Sequence, residues 1–200
     1  MIEDEIIKEM LSIPGRCHIC ECLDNFELAS MARVQNQINV DAHMKSELIS
    51  RGFCNHHFWA IASLTSQKTA AAIGIMFLKN NNFSARGCLI CDYLIAKESE
   101  LLEEFMKEVT EAVVNKVQQF ERRLCNPHFS LIMNRLDANV AEYLSGIQRD
   151  HTEKLVRELK SFEEKSRFDQ SKEEKTSWWR AVENLVGRKG MMHRWEDLKL

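Results

Sequence analysis

The spacing of cysteine and histidine restricts this chain more than any other feature. Cys17-x2-Cys20 is followed by Cys54-x2-His57, and after the same interval Cys88-x2-Cys91 is followed by Cys125-x2-His128. One constant shift carries every member of the first set onto its counterpart in the second, Cys17 onto Cys88 and His57 onto His128. Thiolates and neutral imidazole are donors that suit zinc, and three sulfurs with one nitrogen complete its tetrahedron. The spacing predicts two metal sites, one of Cys17, Cys20, Cys54 and His57, the other of Cys88, Cys91, Cys125 and His128.

The recurrence extends beyond the candidate ligands. The same shift pairs Ile19 with Ile90, Leu23 with Leu94, Met31 with Leu102 and Ile38 with Val109. It also pairs Phe53 with Leu124, Phe58 with Phe129 and Ile61 with Ile132. Two chance motifs would not carry matching apolar positions, whereas duplication of a structural unit would. As a straight helix, the stretch between one ligand pair and the next would be far too long to serve one ion. Each such stretch is therefore expected to double back. The expected turns fall near residues 38–41 and 109–112, with Asp41 capping the helix after the first.

Only 7 glycines and 2 prolines among 200 residues leave few turn positions and favour helices. A net charge of −3 gives no general attraction to nucleic acid or to anionic membranes. The longest apolar run, Ala70 to Leu78, is far shorter than the roughly 20 residues that span a bilayer. Met1-Ile2-Glu3-Asp4-Glu5 lacks the basic-then-apolar order of a signal peptide, so a cytoplasmic location is expected. In that reducing compartment Cys-x-x-Cys reads as a metal or redox pair rather than a structural disulfide.

In chain order the sequence predicts a short amphipathic N-terminal helix within 1–16, a first metal-binding helical unit over 17–80 and a second over 88–148. Residues 149–200 read as a charged helix, a linker and a tryptophan-containing helix with Trp178, Val182 and Leu185 on its docking face and Gly187 at its end. Asn55 to Leu78 is expected to be one helix, and 80–87 a loop. Segment 21–53, broken at Asn39-Val40-Asp41, is expected to loosen before segment 92–124 when metal is removed, which ranks Cys54→Ser as more damaging than Cys125→Ser.

Four coordinating side chains close the metal's shell, which fits a structural ion. An iron–sulfur cluster is the alternative that a cysteine-rich donor set leaves open. His56 competes with His57 as a ligand, and the recurrence favours His57, because His128 stands at the same offset from Cys125 as His57 does from Cys54. Cys22 reads as a small helix residue, and His18, His43, His151 and His193 as ordinary polar positions. No glycine-rich phosphate loop, nucleophile elbow or His-Glu-x-x-His motif is present, so no catalytic residue is assigned.

Three stretches taken together resemble a bacterial and archaeal domain family of unknown function. They are Gly52-Phe53-Cys54-x2-His57 with the aromatic pair Phe58-Trp59, then Leu124-Cys125-x2-His128, and the ending from Arg167-Phe168-Asp169 through Trp178-x-Arg180-Ala181 to Gly187. The resemblance covers nearly the whole chain and implies shared metal sites and fold, but brings no activity with it. Arg123 stands where the first unit has Gly52, so the second Cys-x-x-His turn need not be built like the first.

The expected protein is all-α: two fused, zinc-pinned three-helix repeats with short N- and C-terminal helices. The expected role is a non-enzymatic scaffold that binds a protein partner or a small ligand. A thiol-based redox or metal sensor, assisted by Cys22, is the alternative. A metal- or iron–sulfur-dependent enzyme comes third, since it needs an open coordination position.

Overall fold

The computed structural model describes residues 16–38, 40–80, 87–116, 120, 122–166 and 168–187. The expected N-terminal helix, most of the loop at 80–87, and the tail with His193 and Trp195 lie outside them. The described residues form an all-helical protein without strands, as the scarcity of glycine and proline predicts. The helices are α1 (His18–Gln37), α2 (Ala42–Arg51), α3 (Asn55–Leu64), α4 (Gln67–Asn80), α5 (Leu89–Val114), α6 (Asn126–Met133), α7 (Ala138–Glu164) and α8 (Lys172–Val186).

The turn expected near 38–41 is present. Asp41 caps α2, its carboxylate accepting from the N–H groups of His43 at 2.9 Å and Met44 at 3.1 Å. The turn expected at 109–112 is absent, because α5 runs unbroken through Val114. No glycine or proline interrupts it, and Thr110, a capping type at the expected turn, instead donates its hydroxyl back to the Met106 carbonyl at 2.7 Å within the helix. The single helix expected over Asn55 to Leu78 is two, α3 and α4, separated at Thr65 and Ser66. Ser66 starts the second one, its hydroxyl accepting from the Thr69 N–H at 3.1 Å. Gly146 lies inside α7, which carries the charged stretch to Glu164.

The chain divides into two compact units whose boundaries fall after Cys22 and Ser99. Those points lie inside α1 and α5, not at the expected boundary near residues 80–88. One unit contains residues 23–99, with Leu23, Met31, Val34, Leu48, Ile61 and Ile90 buried. In it the rings of Phe53, Phe58 and Phe77 pack together with centroids 5.8–6.2 Å apart. The other contains residues up to Cys22 and from Glu100 to Arg188, with Phe105, Val109, Leu124, Ile132 and Leu144 buried.

In the second of these units α8 reverses an expectation. Trp178, Val182 and Leu185 are at least half exposed, while Glu174, Ser177 and Glu183 are buried. The helix is held by charge and hydrogen bonding instead of by its apolar stripe. Arg16 pairs with Glu183 through Nε at 3.0 Å and through a second guanidinium nitrogen. Arg180 pairs with Glu158 at 2.6 Å, and Glu174 accepts from Lys165 at 2.7 Å and from the Ser161 hydroxyl. Ser171 and Glu174 form a reciprocal capping box, which starts the helix at Lys172.

Candidate metal centres

All four ligand pairs occupy the same local structure. Cys17, Cys54, Cys88 and Cys125 each stand immediately before a helix, and the second member of each pair is the third helical residue. In every case the first cysteine's carbonyl accepts the first intrahelical bond: from Glu21 at 3.0 Å, Phe58 at 2.9 Å, Asp92 at 2.9 Å and Phe129 at 2.9 Å. The cap position and the third position lie on the same side of the first turn, so x2 spacing aims both side chains at one point. A helix N-terminus also carries partial positive charge, which favours thiolate over thiol. Pro127 is tolerated in the first turn of α6 because its missing N–H would have no helical partner there.

The eight residues converge in two groups of four, but the grouping differs from the sequence expectation. Cys17 and Cys20 meet Cys125 and His128, and Cys54 and His57 meet Cys88 and Cys91. Each Cys-x-x-Cys is therefore completed by the Cys-x-x-His of the other recurrence. Helix length is the physical reason. At about 1.5 Å per residue α1 carries the chain roughly 30 Å from Cys20, and α2 is half as long. The unbroken α5 carries it farther still from Cys91. The first stretch turns at 38–41 but its second helix is only half as long as its first, and the second stretch does not turn within α5; exchange between the two sets closes both sites.

The first group lies within the unit of residues up to 22 and from 100. His128 Nδ1 is 3.3 Å from Cys17 Sγ, 3.5 Å from Cys20 Sγ and 3.1 Å from Cys125 Sγ. Cys20 and Cys125 sulfurs are 3.6 Å apart, and all four residues are buried. The second group lies within residues 23–99. His57 Nδ1 is 3.2 Å from Cys54 and Cys88 and 3.3 Å from Cys91, with the Cys54 and Cys91 sulfurs 3.7 Å apart. Here Cys54 and Cys91 are only half-buried. Tetrahedral zinc would set sulfurs about 3.8 Å apart and sulfur from nitrogen about 3.5 Å. Both groups match that spacing within a few tenths of an ångström, so the donor set fits a single ion in each.

The turns behind the two Cys-x-x-His pairs differ, as Arg123 in place of Gly52 allows. Gly52 ends α2 with φ 76° and ψ −164°, a region reserved for glycine. Its N–H donates to the Leu48 carbonyl at 2.8 Å. Arg123 follows no helix end and has no positive φ. The contact each residue makes is nonetheless equivalent. The Leu89 N–H donates to the Gly52 carbonyl at 3.3 Å, and the His18 N–H donates to the Arg123 carbonyl at 3.2 Å. One backbone bond thus ties each Cys-x-x-Cys turn to the Cys-x-x-His turn that shares its site.

Electrostatics reflect four crowded titratable groups. Burial alone would depress His128, but the adjacent Cys125 and Cys17 sulfurs outweigh it and push the imidazole up to about 10. Burial alone would raise the Cys88 thiol, yet hydrogen bonding from His57 and the backbone at Cys54 and Cys91 brings it down to about 6. Cys91, by contrast, is pushed up to about 12 by burial and by the charge of Cys88. With no cation, protons must be shared among these donors; a dication would satisfy them together.

Three residues near the sites were given no part in them from sequence. Glu27 is 1% exposed, and its Oε1 lies 3.2 Å from His57 Nε2 and 3.0 Å from His56 Nε2. His57 thus turns Nδ1 to the sulfurs and its other nitrogen to a carboxylate, while His56 faces the same carboxylate. A signal existed, because the shift that relates the ligand sets also carries Glu27 onto Glu98. His18 is 2% exposed, with no hydrogen-bond partner for either ring nitrogen, and burial followed by the charges of Arg122 and Arg123 lowers it to about 4. Gly187 has φ 79°, and a Cβ there would lie 3.5 Å from Cys125 Sγ and 3.8 Å from Cys20 Sγ. The end of α8 therefore packs directly on the sulfurs of the first group. Cys22 is fully buried, and burial raises its thiol to about 11, which leaves it unreactive. A cavity of about 30 Å³ adjoins Cys17 and Cys125 between Arg123, His151 and Glu183, room for about one water.

No family model, curated protein or solved structure matches the chain. Function must therefore be argued from the sites. Among the described residues no helix is long and apolar enough to cross a membrane.

Proposed function

We propose that the protein is a non-catalytic helical scaffold stabilised by two zinc ions, whose role is to present a surface for binding. The observation that carries the reading is the pair of Cys3His groups, each assembled between two helix N-termini with donor atoms within 4.8 Å of one another. Three thiolates and one neutral imidazole around a dication leave one net negative charge, which two helix N-termini favour. Zinc suits this donor set and imposes no geometry of its own beyond the four bonds offered. An iron–sulfur cluster fits less well. A cluster spreads its four ligands over two or more irons, whereas the four donor atoms of each group all lie within 4.8 Å of one another.

A filled tetrahedron offers no position to a substrate or an activated water, which argues against catalysis at the metal. The exposed stripe of Trp178, Val182 and Leu185 on α8 supports a protein partner over a small ligand, since tryptophan anchors are frequent at protein interfaces. Elemental analysis of reduced, folded protein tests the core of the proposal. Two zinc ions per chain are expected, each with three sulfurs and one nitrogen by X-ray absorption. One ion or none, or a spectrum with iron–sulfide charge transfer, overturns it.

A further inference from the structure

The two centres differ in one respect that their identical donor sets do not require. In the group of Cys17, Cys20, Cys125 and His128 every ligand is buried, and the backbone of Gly187 lies against two of the sulfurs. In the group of Cys54, His57, Cys88 and Cys91, two ligands are half-buried, and they are the two whose sulfurs lie 3.7 Å apart. Cys88, the third sulfur of that group, is 3% exposed. Sulfurs stand equally close in the buried group, where Cys20 and Cys125 are 3.6 Å apart, so it is solvent access that singles out Cys54 and Cys91.

We propose that Cys54 and Cys91 form a thiol-oxidation site, and that a peroxide-class oxidant converts them to a disulfide with release of the metal from this centre alone. The inference rests on both groups being occupied by zinc. Thiolate chemistry makes the steps explicit. One exposed thiolate attacks a peroxide oxygen, the O–O bond breaks, and the sulfur becomes a sulfenic acid while the other oxygen leaves as hydroxide and takes a proton. The second thiolate attacks that sulfur, the S–O bond breaks, and a second hydroxide leaves and is protonated. Two thiolates have lost two electrons, the peroxide has become two waters, and an S–S bond joins Cys54 to Cys91. Closing 3.7 Å to the roughly 2.05 Å of a disulfide needs a small shift at the first turns of α3 and α5. The metal is left with Cys88 and His57, too few ligands to hold it, and departs as the hydrated dication. Access decides which centre reacts, since susceptibility follows thiolate character and exposure together.

The experiment treats the full-length zinc protein with stepwise hydrogen peroxide, follows released zinc with a colorimetric chelator, and maps disulfides by mass spectrometry. The expected result is release of one of two zinc equivalents at least tenfold faster than the other, with Cys54 and Cys91 peptides linked. Equal release rates, faster loss from the buried group, no release, or a link through Cys17, Cys20, Cys88 or Cys125 overturns the proposal. Counting zinc before oxidant separates the two readings. Fewer than two equivalents at that point defeats the scaffold proposal, whereas two equivalents followed by equal release defeats only this one. Gly187→Ala supplies a second arm, because its φ of 79° strains any residue with a side chain and so disturbs the helix end that covers the buried group. In that variant the slow phase should accelerate toward the fast one; an unchanged slow phase means that cover does not set the difference.

Discussion

At the scale of single residues the second centre depends on which nitrogen of His57 faces the sulfurs. Glu27, buried and with Oε1 3.2 Å from His57 Nε2, sets a negative charge beside that nitrogen, which favours the proton there and leaves Nδ1 free to bind metal. Glu27→Gln keeps the shape but loses the charge, so the zinc affinity of this centre should fall about 10–100-fold, with the other centre unchanged. Competition with a chelator of known affinity reads both. His57→Ala should abolish the same ion outright. His56→Ala should leave both ions bound, because His56 reaches Glu27 and not the sulfurs; loss of an ion in that variant would reverse the assignment. Gly52 gives a different kind of test. Its φ of 76° strains any residue with a side chain, although a Cβ would meet nothing closer than 4.0 Å. Gly52→Ala should therefore lower stability by about 1–3 kcal/mol through backbone strain alone, measured by chemical denaturation.

At the scale of elements α8 is the informative case, because a helix with an apolar stripe is docked by its polar side. Glu174 sits between Lys165 and Ser161, and the Lys165 ammonium followed by the Ser161 hydroxyl lowers its carboxyl from 4.5 to about 2. A depressed folded value means that ionised Glu174 stabilises the docked helix above about pH 4.5, and that this contribution disappears as pH falls toward 2. Glu174→Gln should thus melt lower than the parent protein at neutral pH, and the gap should close as the pH drops from about 4.5 to 2. Circular-dichroism melts across that interval check it, and a gap independent of pH would show that the interaction is not ionic. Metal release in acid is a separate event, which zinc counting at each pH separates from it.

At the scale of the whole molecule the two proposed ions would replace much of what a larger apolar core supplies. Structural zinc in small modules contributes on the order of 10 kcal/mol of apparent binding energy, comparable with the whole stability of a domain. Stripping both ions should remove cooperative unfolding, and a fully cooperative apoprotein would show that the ions are not structural pins. The sequence ranks Cys54→Ser as the more damaging change, on the premise that Cys54 closes the broken helix pair. The structure reverses the premise. Each cysteine closes a centre built from both recurrences, so burial now sets the order. Cys125 is buried under Gly187 and Cys54 is half-buried, so Cys125→Ser should depress the melting temperature more. Melts of the two variants, with bound zinc counted, decide between the orders.

Local features were legible in the sequence. Helical structure followed from composition, the cysteines and histidines that converge from their spacing, Asp41 as a cap from its side chain, and the split build of the two turns from Arg123 against Gly52. Each is decided within about one helical turn, where the chain itself fixes what can meet what. Partition of the ligands was not legible, because both pairings satisfy the same chemistry and the same recurrence. What separates them is whether the intervening chain turns back, and α5 does not: Leu89–Val114 is one helix with no glycine or proline in it. The docking face of α8 was hidden for a related reason. Amphipathicity assumes that an apolar stripe faces a core, but Arg16, Lys165 and Glu158 come from other parts of the chain and offer its polar side a set of charged partners. Sequence determined which atoms can bind metal; only tertiary structure decided which of them share an ion, because that depends on where long, uninterrupted helices deliver their ends.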